Sequence, residues 1–65
     1  MPKYPEIRVK LVGRDGNAFA IMGACQSAAR KAKVSKEEVD KFLEECMSGD
    51  YNHLLATCCN WFDVN

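Results

Sequence analysis

Only two stretches of this chain read as β-strand, and they stand near its opposite ends. From Glu6 to Val12 the residues alternate, with Ile7, Val9 and Leu11 on one face and Arg8 and Lys10 on the other. Trp61, Phe62, Asp63 and Val64 form a second run that is short, aromatic and β-branched. A lone strand leaves its backbone unpaired, and an isolated two-stranded ribbon is unstable in water. The two ends must therefore meet, and the segment between them must cover one face of the pair. The sequence predicts an α+β fold, a single small domain over residues 1–65 of order β-α-α-α-β, whose two-stranded sheet from the two termini packs on three helices.

The helical middle is marked by local signals. Asn17 is placed to cap a first helix from Ala18 to Lys33, whose inner stripe is Ala18, Ile21, Met22, Cys25, Ala28, Ala29 and Ala32. Arg30, Lys31 and Lys33 suit its negative end. Ser35-Lys36-Glu37-Glu38 matches a capping box, with the Ser35 hydroxyl on the Glu38 amide and the Glu38 carboxylate reaching back to the Ser35 amide. Behind it Val39, Phe42, Leu43, Cys46 and Met47 recur at helical spacing, while Glu37, Glu38, Asp40, Lys41, Glu44 and Glu45 form a solvated face. Gly49 ends this second helix, and Asp50 caps a third from Tyr51 to about Cys59 with Tyr51, Leu54, Leu55 and Cys58 inward.

At 65 residues the domain buries only about 60% of its unfolded surface, so association is a natural source of extra burial. The chain shows no run of ~18 apolar residues and no apolar signal core near Met1, which predicts a cytoplasmic protein with no membrane partner. In that compartment Cys25, Cys46, Cys58 and Cys59 stay reduced. Net charge is zero, but residues 1–36 carry eight basic against two acidic side chains, and residues 37–65 carry one against seven. Such sorting marks a surface for an anionic partner or mutual neutralisation of the folded halves.

Several groups can be weighed for chemistry. Gly13-Arg14-Asp15-Gly16-Asn17, between strand and helix, gathers backbone amides at a helix start and makes Gly16 and Asn17 candidates for anion contact, although it lacks a P-loop ending. Arg8, Lys10 and Arg14 can form one basic patch, with Tyr4 and Trp61 the nearby aromatics for base stacking. His53, the only histidine, is poorly spaced from Cys58 and Cys59, and there is no Cys-x-x-Cys, so no metal site and no cofactor are expected. Cys25, Cys46 and Cys58 fall on apolar stripes; Cys59, off the stripe, is the candidate reactive thiol.

Taken over nearly its whole length, through Val9-Lys10-Leu11-Val12-Gly13-Arg14-Asp15-Gly16-Asn17-Ala18-Phe19, Ser48-Gly49-Asp50-Tyr51-Asn52-His53-Leu54-Leu55 and Trp61 to Val64, the chain resembles a family of small uncharacterised bacterial and phage proteins. The resemblance implies one intact cytosolic domain and carries no activity, cofactor or catalytic residue.

The reading that follows is a noncatalytic protein-binding or accessory module rather than an enzyme. Residues 18–25 are apolar all round, which needs cover on more than one side of the helix. A homodimer or another protein partner over Phe19, Met22, Gly23 or the sheet edge would supply it. Two alternatives stand beside this one: a nucleic-acid-associated protein using the basic patch, and a small thiol sensor or enzyme using Cys59 with His53.

Overall fold

A computed structural model describes residues 2–10 and 17–64. The order is β1 (Tyr4–Val9), α1 (Ala18–Lys31), α2 (Lys36–Cys46), α3 (Tyr51–Trp61) and β2 (Phe62–Val64), the predicted β-α-α-α-β succession. The two strands pair in parallel, with Tyr4 opposite Phe62, Arg8 opposite Asp63 and Val9 opposite Val64. The register is interrupted between Tyr4 and Arg8, where three residues of β1 have no counterpart. Pro5 lies in that interruption, so its missing N–H costs no ladder bond.

All three helices begin on the expected caps. The side chains of Asn17, Ser35 and Asp50 accept from the amides of Phe19 (2.8 Å), Glu38 (3.3 Å) and His53 (2.9 Å). The capping box is only half formed, because the Glu38 carboxylate turns away from Ser35 to meet Lys3, Tyr4 and Lys41. Helix α1 also stops earlier than predicted, at Lys31. Lys33 turns over at φ 64°, and the amides of Lys33 and Val34 bond back to the carbonyls of Arg30 and Ala29. This is the Schellman ending that usually employs glycine.

The core lies between the sheet and the helices. Ile7, Val9, Ile21, Cys25, Ala29, Val39, Phe42, Cys46, Leu54, Cys58 and Phe62 are buried there. The ring of Phe42 stands edge-on to those of Phe62 (5.0 Å) and Trp61 (5.6 Å), a favourable aromatic geometry. Trp61, predicted to open the last strand, closes α3 instead, and its Nε1–H donates to the Glu45 carboxylate at 2.8 Å. Over its ring sits the Lys3 ammonium, 4.4 Å from the centroid and 2.7 Å from Glu38. That hydrogen bond raises the pKa of Lys3, while the bonds from Lys3 and then Tyr4 lower that of Glu38.

Three residues of the predicted inner stripes face solvent, the first being Ala32, which lies just past the end of α1. Met47 follows the end of α2 and is 62% exposed; Tyr51 begins α3 and is 44% exposed. At these helix ends the neighbouring element has already turned away.

Candidate functional site

Two surface features gather the residues of interest. One is a groove of about 590 Å³ between β1 and α1, lined by Arg8, Val9 and Lys10 on one side and by Ala20, Gly23, Ala24, Ser27, Ala28 and Lys31 on the other. Alternation along β1 sends Ile7 and Val9 into the core and leaves Arg8 and Lys10 exposed, as predicted. Lys31, in the last turn of α1, brings a third cation to the same rim. Arg8 faces Asp63 across the sheet at 3.6 Å, with both side chains well exposed, so this ion pair is weak and leaves the rim positive. Arg14 and Gly16 lie outside the described residues. Asn17 serves as the α1 cap.

The proposed stacking aromatics are not free to receive a base. Trp61 is only 8% exposed, and Tyr4 is packed against Phe62 with its hydroxyl donating to Glu38 at 3.1 Å. The α1 side of the groove is made mostly of small side chains.

The second feature is a shallow apolar depression of about 290 Å³ where the start of α1 meets the α2–α3 turn. Phe19, 74% exposed, stands over it with Met47 and Tyr51, while Ala18, Met22 and Leu54 line it. The all-round apolar start of α1 thus divides: Ile21 and Met22 enter the core, and Phe19 remains outside. Phe19 was legible as surplus apolar surface; Met47 and Tyr51 were assigned inward and were missed.

Thiols and histidine are arranged differently. Cys25, Cys46 and Cys58 come one from each helix and are buried together, while Cys59 is exposed, as their places on or off the stripes indicated. Hydrogen bonding to Cys58, reinforced by burial, pushes the thiols of Cys25 and Cys46 well above the ordinary range. Their reactivity is correspondingly suppressed. His53 Nε2 lies 2.9 Å from the Glu45 carbonyl and 3.0 Å from the Ser48 hydroxyl. A carbonyl can only accept, so Nε2 carries the proton and the imidazole closes the end of α2. Cys59 is six positions along α3, about 240° around the helix and about 9 Å further on, and is not brought to this ring.

Among the described residues no group of three or more His, Cys, Asp or Glu is arranged to hold a metal ion, and no helix is long and apolar enough to cross a membrane. The comparisons with known protein families, curated proteins and solved structures found no match for this chain.

Proposed function

We propose that this chain is a noncatalytic accessory module that binds another protein. The observation carrying this reading is the joint exposure of Phe19, Met47 and Tyr51 around one apolar depression. Scattered single hydrophobics are ordinary on a surface, but a contiguous cluster marks a contact area. A 65-residue domain gains proportionately more than a large one from covering such a cluster.

A photo-crosslinking amino acid at position 19, expressed in the native cell, is expected to give a discrete protein adduct, either a second copy or a different chain. The same group at Lys36, on the exposed start of α2, serves as the control. Equal and diffuse labelling from both positions would overturn the reading.

The basic rim supports a second reading, nucleic-acid association through phosphates. It predicts binding to mixed oligonucleotides that weakens steeply as salt rises. A flat salt response removes it.

A further inference from the structure

The small-residue wall of the basic groove has a specific steric property. A β-carbon built on Gly23 meets nothing within 4 Å, and Ala20, Ala24 and Ala28 beside it add only methyl groups. Opposite this wall stand Arg8, Val9 and Lys10, three consecutive residues of or next to β1. Within β1 side chains alternate between faces, so Arg8 and Val9 point to opposite sides and border the same groove through the backbone edge between them. Strand β2 occupies the other edge, and among the described residues no further strand pairs with β1. A strand edge without a partner strand offers a row of N–H and C=O groups to a further strand.

The same channel continues past Glu6, Ile7, Ala28, Lys31 and Ala32, sharing Arg8, Ala28 and Lys31 with the first groove. From Glu6 to Lys10 it follows five residues of backbone, roughly 16 Å at the usual strand rise. Among the described residues its charged lining is Arg8, Lys10 and Lys31 against Glu6. Among the described residues that line it there is no aromatic on which a nucleobase could stack.

We infer that this groove takes an extended acidic segment of a partner protein, which adds to the edge of β1 as a third strand and sets its carboxylates against Arg8 and Lys31. Main-chain hydrogen bonds to the edge supply affinity in this mode, and alternate side chains supply selection. The low α1 wall leaves room for the guest backbone, and the cations choose its charge. The inference rests on the protein-binding reading but uses a different surface from the Phe19 depression.

The test is a random peptide library displayed on phage and panned against the whole chain, with Gly23→Leu as the matched counter-target. Leucine at this site projects into open groove and has a better helix propensity than glycine, so this variant keeps its fold, as circular dichroism will verify. Acidic, extended sequences are expected to enrich on the natural chain and to lose about tenfold or more in affinity on Gly23→Leu. The double variant Arg8→Glu, Lys31→Glu should lose binding likewise, and amide protection should appear along β1 when a selected peptide is added. Peptides that bind both chains equally and are lost on Phe19→Ser would overturn the groove while sustaining the protein-binding reading. Enrichment of nothing, as expected if Arg8 and Lys10 only discourage self-pairing of the edge, would overturn the inference. Preferential binding of single-stranded oligonucleotides over every peptide would overturn both readings.

Discussion

Lys33 occupies the left-handed region where a β-carbon crowds the following carbonyl, at a cost of roughly 1–2 kcal/mol. Glycine removes that cost and adds back some unfolded-chain entropy, so Lys33→Gly should raise stability by about 0.5–1 kcal/mol in urea unfolding. Glu38 gives a pH-dependent counterpart. Its carboxylate is held below the ordinary value of 4.5 by Lys3 and Tyr4, so its contribution is present above that value and lost as pH falls through the lowered one. Lys3 behaves inversely: its contribution is full below the ordinary 10.5 and lost as pH rises through its raised value. Trp61, the only tryptophan, lies under this pair and reports on it. Its fluorescence should shift at both pH extremes in the natural chain, and Glu38→Gln should abolish the acid-side shift attributable to this contact.

Helices α2 and α3 are joined through one acceptor-rich residue, Glu45, whose carbonyl meets Ser48 and His53 while its carboxylate takes the Trp61 indole N–H. Gly49 sits inside this junction, and a β-carbon there would come within 2.7–2.9 Å of the His53 side chain. With His53 fixed by its bonds, Gly49→Ala should cost about 1–3 kcal/mol, read as a lower thermal midpoint. The helix starts at Asn17, Ser35 and Asp50 were legible because a cap is a bond to an amide two or three residues away. The ends of the apolar stripes were not, since periodicity continues through Met47 and Tyr51 without revealing where neighbouring elements diverge. Trp61 was assigned to a strand because aromatic preference cannot anticipate the distant Glu45 carboxylate that suits it to the close of α3. At the candidate site, alternation disclosed Arg8 and Lys10, whereas Lys31 and the Gly23 wall join them only through the lateral placement of α1 against β1.

A domain of 65 residues has a total stability of roughly 3–10 kcal/mol. Phe62 is 1% exposed and packed among the rings of Tyr4, Phe42 and Trp61, so Phe62→Ala, at about 3–5 kcal/mol, should remove a large share of that total, read as a much lower urea midpoint by circular dichroism. Alkylation gives an independent readout of the same cooperativity. Cys59 should label quickly, while Cys25, Cys46 and Cys58, drawn from three helices into one interior, should label only as fast as the whole molecule opens. Pairing Tyr4 with Phe62 joins positions 58 apart, so the sheet forms late and folding is slower than helix content alone suggests. Because the strands run parallel, tension applied through the flanking chain pulls β1 and β2 past one another lengthwise. Such loading shears the ladder as a unit instead of peeling it bond by bond, and the molecule should hold under stretch and then yield in a single step.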